Sequence, residues 1–285
     1  MDNRELIDAL NRIANALESK NEISKPVYDF EHFNTFVWNG DDLCMRPVSK
    51  MSYINLDMLQ GIDLQKRILL QNTQQFAEGF SANNALIWGA RGTGKSSIIK
   101  AIHHHITEEL KLPLTLVEIY REDLETLSAL LSQLRDVDRQ FILYCDDLSF
   151  DENDHSYKSL KAVLEGGIES RPTNVIFYAT SNRRHLMPRD MIENESSTAI
   201  NPNEAIEEKV SLSDRFGLWL GFHSMDQKTY LNIIANYIEF YGLDITEEAW
   251  KPKALEWSVT RGSRSGRVAW QFFNDLAGFY KFKIE

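Results

Sequence analysis

The sequence predicts an α/β protein: a three-layer α/β/α domain built on a parallel five-stranded sheet, followed by a small all-helical domain. Three observations predict it. Apolar strands alternate with helical patterns from residue 85 to residue 222. A glycine-rich turn joins the first of those strands to the first of those helices. After Asp226 only helical periodicity remains. Alternating strands and helices imply a parallel sheet covered on both faces.

The elements follow in order. Leu6, Leu10, Ile13 and Leu17 recur at helical spacing, so residues 5–18 read as a short amphipathic helix that docks on its own domain, another subunit or a partner. Residues 27–52 are aromatic-rich, with Tyr28, Phe30, Phe33, Phe36 and Trp38, and read as an irregular segment that wraps a core. Residues 63–79 read as a helix. Strands are expected at 85–88, 114–120, 141–145, 175–180 and 218–222. Helices are expected between them at 95–110, 123–134 and 156–169, and after them at 227–241, 247–260 and 266–281. The polar stretch 188–212 reads as an insertion. The domain division is therefore 1–54 for the leading segment, 55–224 for the α/β core and 225–285 for the helical domain.

Composition sets bounds. The chain has 285 residues, 43% hydrophobic and 26% charged, which is ordinary for a globular protein with a sizeable core. The net charge of -11 disfavours stable non-specific binding to DNA or to an anionic membrane. Cys44 and Cys145 lie far apart, which argues against a disulfide framework or a structural zinc site. The N-terminus lacks the apolar run of a signal peptide, and no run approaches the roughly 18 residues of a membrane span. A cytoplasmic location is expected. His103, His104 and His105 are consecutive in a helix, so they point about 100° apart and do not readily share one metal ion.

The chemistry sits at the strand ends. Gly89, Ala90, Arg91, Gly92, Thr93, Gly94, Lys95 and Ser96 match GxxxxGK[ST], with an apolar strand before and a helix after. Glycines let successive backbone N–H groups turn toward phosphate oxygens, and the following helix adds its N-terminal partial charge. This loop implies a nucleoside triphosphate, ATP with Mg²⁺. Lys95 is expected on the β and γ phosphates and the Ser96 hydroxyl on Mg²⁺. Ser97 follows in the same helix turn. Carboxylates at the C-terminal end of the next-but-one strand, Asp146 and Asp147, face the crevice where ligands bind in such sheets. Asp146 is assigned to Mg²⁺, through water, and Asp147 to the attacking water. Asn182, after the fourth strand, either orients that water, senses the γ phosphate or caps the turn.

With these elements in order, residues 55–281 resemble the AAA+ ATPases. That resemblance implies strand order 5-1-4-3-2, counting strands along the chain, and a helical lid after the fifth strand. Leu59, Gln60, Gly61, Ile62 and Asp63 resemble the family's adenine-side segment, which places Ile62 on the base. Ser213, Asp214, Arg215, Phe216 and Gly217 resemble its arginine-finger segment. Arg215 would then act in trans, on a neighbouring subunit's nucleotide within a homo-oligomer, as a ring or partial ring; the alternative is an Arg in a surface ion pair. Gly262 to Arg267 resembles the lid segment whose Arg contacts the γ phosphate, with Arg267 the first choice and Arg264 the second.

Two departures matter. The family's Asp-Glu is Asp146-Asp147 here, so the water-polarising carboxylate is one methylene short, which predicts slow turnover. Residues 119–124 lack the glycine of polypeptide-threading members. The segments 89–97, 145–149 and 179–184 most closely resemble an uncharacterised bacterial AAA+ family. The leading functional expectation is an oligomeric ATPase that drives a conformational change in an unknown protein partner. The second is a non-hydrolysing nucleotide-dependent switch, and the third a small-molecule kinase.

Overall fold

The computed structural model describes residues 26–150, 156–165, 171–184, 186 and 212–284. The chain divides into two compact units, residues 1–32 and 33–285. The second carries everything below. The expected helix at 5–18 and nearly all of the insertion at 188–212 lie outside the described residues.

The strands are β1 (Thr35–Asn39), β2 (Cys44–Pro47), β3 (Ala85–Gly89), β4 (Leu114–Glu118), β5 (Gln140–Cys145), β6 (Val175–Ser181) and β7 (Leu218–Phe222). The helices are α1 (Asp63–Ala77), α2 (Lys95–His104), α3 (Leu127–Leu134), α4 (Ser156–Glu165), α5 (Gln227–Tyr241), α6 (Glu247–Thr260) and α7 (Gly266–Phe279). One sheet runs β2-β1-β4-β5-β6-β3-β7, with every pairing parallel except β1 with β2. The five expected strands therefore lie in the expected order 5-1-4-3-2, but the sheet has seven strands. The irregular wrap expected over 27–52 contains instead a β1–β2 hairpin that extends the β4 edge. Phe36 and Trp38 point inward on β1, and the Trp38 indole N–H donates to Thr126 Oγ1 at 2.8 Å. The parallel partner of β1 on its other side is β4, 81 residues along the chain (Thr35 with Leu116), a long-range pairing that local pattern does not show.

The middle strands are apolar runs buried on both faces, as parallel strands under two helical layers must be. α1 is anchored by Tyr178 of β6, whose hydroxyl meets Asn72 Nδ2 at 2.9 Å and Thr73 Oγ1 at 2.8 Å. α5, α6 and α7 have their own aromatic core, including Tyr230, Tyr237, Trp250 and Phe273. Met58, from the short 3₁₀ turn Leu56–Met58, belongs to that core. The segment before α1 is thereby bound to the lid helices. Asp226 starts α5 by accepting the Thr229 N–H at 2.7 Å, and Ser265 starts α7 by accepting the Val268 N–H at 3.2 Å.

Candidate nucleotide site

β3 delivers the loop. At its end Gly89 has φ +139, and a Cβ there would lie 1.9 Å from the carbonyl oxygen of Phe222 on β7, so only glycine fits. The Ala90 N–H then donates to that same carbonyl at 3.2 Å. At Gly92 (φ +75) a Cβ would meet Ser265 Oγ at 2.8 Å and Arg267 Cβ at 3.3 Å. The missing side chain lets the start of α7 close against the loop. α2 begins at Gly94, so two helix N-termini face the same turn.

Lys95 is 7% exposed. Its Nζ donates to the carbonyls of Gly89 at 2.9 Å and Ala90 at 2.8 Å, and to Asn182 Oδ1 at 3.0 Å. Burial lowers its pKa; Asp146 and Asp147 oppose this, while Arg91 and Arg267 add to it. Ser96 Oγ donates to Asp146 Oδ1 at 2.6 Å, and Thr180 Oγ1 donates to the same oxygen. Burial alone would raise the Asp146 pKa, but the Ser96 and Thr180 hydroxyls overcome it and hold the carboxyl below its ordinary range. A hydroxyl and an ionised carboxylate side by side are hard oxygen ligands of the kind Mg²⁺ takes, so Ser96 and Asp146 fit the ion.

Thr180 also accepts the Asp147 N–H at 2.9 Å. Asp147 sits at φ +50, a left-handed conformation that a residue with a side chain adopts only when its surroundings hold it. Asn182 joins the two halves: its Nδ2 donates to Asp147 Oδ1 and its Oδ1 accepts from Lys95. The partners fix which end of the amide points where.

These groups floor a pocket of about 500 Å³, within the range of small-molecule sites. Residues 91–97, Asp146, Asp147, Thr180 and Asn182 form its polar side. Ile54, Met58, Leu59 and Ile62 form one apolar wall. Met225, Ile233, Tyr237 and Trp270, from the lid and its entry, form the other. A polar floor under two apolar walls suits a phosphate chain and a flat base.

Not every expected residue is here. Arg267 lines the pocket, whereas Arg264 lines a different cleft. Arg215 is outside it, paired with Glu165 at the end of α4. The three histidines diverge: His103 is buried, His104 stacks on Tyr53 at 3.6 Å, and His105 meets Glu109 at 2.8 Å. Among the described residues no three His, Cys, Asp or Glu side chains group to hold a metal. Thr180 and the lid side chains of the apolar wall are absent from the sequence reading. The sheet register places Thr180: Cys145 pairs with Ala179 across β5 and β6, which sets Asp146 beside Thr180.

This sheet order, the loop after β3, the acids after β5 and the helical lid define the AAA+ class of P-loop proteins. Two of the solved structures that share the fold serve as examples. A mutant of Thermotoga maritima RuvB superposes with a TM-score of 0.50 at 17% identity, over 80% of this chain and 67% of that one. The Aeropyrum pernix ORC1 protein in complex with DNA gives 0.52 at 14% identity, over 75% and 61%. The chain thus spans about two thirds or less of the length of either, and identities this low speak for the fold alone. No curated protein matches the sequence. Within the class, the chain belongs to the family described as "Protein of unknown function (DUF815)", which matches residues 31–280.

Proposed function

We propose that the protein is a cytoplasmic ATPase that binds ATP with Mg²⁺ in this pocket, turns it over slowly, and couples the cycle to a conformational change in a protein partner. One observation carries the reading: Lys95, Ser96, Asp146, Asp147 and Asn182 meet in one pocket whose far wall is the lid. Bound Mg²⁺ would supply charge neutralisation for the β and γ phosphates. Lys95 exchanges its loop carbonyls for phosphate oxygens. Ser96 and Asp146 hold the ion. Asp147 accepts a hydrogen bond from the attacking water, and the Asn182 amide orients both. Ile62, the other apolar side chains and Trp270 enclose the base. Arg267 approaches the phosphates from α7, and residues 225–285 act as the lid over the 55–224 core. No helix among the described residues is long and apolar enough to cross a membrane.

Arg215 completes the site from a neighbouring subunit in a ring or partial ring. That role requires it to leave Glu165. Turnover per subunit measured over a wide range of protein concentration tests this. Specific activity rises with concentration in the wild type and stays low and flat in Arg215→Ala, a finger being worth on the order of 10³-fold. A flat wild-type profile equal to that of Arg215→Ala would refute action in trans.

The Arg215–Glu165 pair and the engagement of Asp147 by Asn182 favour a second reading. In it the chain is a nucleotide-dependent switch without turnover, and ATP occupancy alone sets partner affinity. ATP binding with no phosphate release at any concentration supports it.

A further inference from the structure

A second cleft, of about 450 Å³, shares a wall with the nucleotide pocket: Arg91, Thr93 and Met225 line both. Its other wall is the α6–α7 connection, including Ser263 and Arg264, with Val259 at its side. No Asp or Glu is among its described lining residues. Arg91 and Arg264 are both exposed, and neither has an ion pair among the described residues. In a chain with 42 acidic and 31 basic side chains, two guanidinium groups that have no ion pair among the described residues, on a cleft with no described carboxylate in its lining, run against the overall charge.

We propose that this cleft docks an acidic segment of a protein partner, with a carboxylate next to an apolar side chain. Guanidinium forks match a carboxylate in a bidentate fashion. The Thr93 and Ser263 hydroxyls add donors beside them. Val259, which is 74% exposed, and Met225 supply apolar surface that a bare oxyanion would leave uncovered. The volume is several times that of one carboxyl group, which fits a short stretch of peptide. Arg91 lines both pockets but serves one at a time. Nucleotide phosphates that recruit Arg91 therefore weaken docking, and the coupling is reciprocal. This requires nucleotide to occupy the first pocket but does not require hydrolysis.

The test is fluorescence anisotropy of a labelled hexapeptide of alternating glutamate and leucine, titrated with the full chain. A fluorescent ATP analogue is titrated in parallel. Wild type binds the peptide saturably. Arg264→Ala weakens it by about tenfold or more, the worth of one charge-assisted hydrogen bond, and Ser263→Glu, which sets a carboxylate against the peptide's own, weakens it by a similar factor. A saturating non-hydrolysable ATP analogue with Mg²⁺ weakens it by about the same factor, on the same ground. Ser263→Glu keeps wild-type nucleotide affinity, which shows that it is folded. No peptide binding to wild type, unchanged binding in Arg264→Ala, or equal binding of the glutamine-for-glutamate peptide overturns the proposal. Displacement of the peptide by inorganic phosphate at equal concentration makes the cleft a small-oxyanion site and also overturns it. If Arg264→Ala instead dissociates a wild-type assembly in sedimentation, the occupant is a second copy of this chain, and the partner assignment falls. Failure of the ATP analogue to bind wild type would strike the nucleotide reading itself, separately from all of these.

Discussion

Thr180 offers the sharpest test of how the site is held together. It is 1% exposed, donates to Asp146 and accepts the Asp147 N–H. Thr180→Val keeps the shape and deletes the oxygen. The lost bond to an ionised carboxylate is worth about 1.5–3 kcal/mol, and an unpaired Asp147 N–H costs about 1–3 kcal/mol. No longer burying a hydroxyl offsets about 1–3 kcal/mol. The net expectation is a destabilisation of about 2–3 kcal/mol, or roughly 4–10 °C in Tm at a few degrees per kcal/mol. Thr180→Ser keeps the oxygen and loses one methyl, about 1 kcal/mol. Thermal unfolding of the three proteins at neutral pH reads this directly. A valine variant as stable as the serine variant would refute the claim that this hydroxyl ties the two acids to β6.

Other outcomes follow from burial and backbone geometry. His103 is 1% exposed, and burial pushes its pKa down from 6.5 to about 4. Above pH 6.5 it is neutral folded and unfolded alike. Between pH 6.5 and 4 the unfolded chain takes up a proton that the fold excludes, so stability is lost as the pH is lowered, by about 3 kcal/mol in all at 1.36 kcal/mol per unit. His103→Leu flattens that part of an unfolding-versus-pH profile, and an unaltered profile would contradict the assignment. Gly89→Ala forces a methyl into the Phe222 carbonyl and yields little folded protein. Gly94→Ala has 3.8 Å to its nearest neighbour and meets only backbone strain at φ +96, about 1–3 kcal/mol. Soluble yield and circular dichroism rank the two, and equal behaviour would rule out the close approach at Gly89.

The legibility of the chain divides along the range of the interactions. The phosphate loop, the acids after β5 and the lid helices are read from local pattern, because a glycine turn, an apolar run and a helical period each lie within a few consecutive residues. The order of the five expected strands, β4-β5-β6-β3-β7, followed from the resemblance. β1 was not legible: Thr35–Asn39 shows no clean alternation, and although its hairpin with β2 is local, its place in the sheet comes from pairing with β4, where Thr35 meets Leu116 far along the chain. The apolar wall that the lid gives the pocket was hidden for the same reason. Ile233, Tyr237 and Trp270 are ordinary core positions of helices until α5 and α7 fold over the loop. Arg215 shows the opposite limit. Its motif is local, but its partner within this chain, Glu165, is not.

The central claim is that the pocket around Lys95 takes ATP with Mg²⁺. Titration calorimetry of the wild type and of Lys95→Ala tests it most directly, with circular dichroism to show that both are folded. Wild type binds Mg-ATP at one site per chain, and Lys95→Ala shows no measurable binding. Equal affinity in the two proteins would contradict the account.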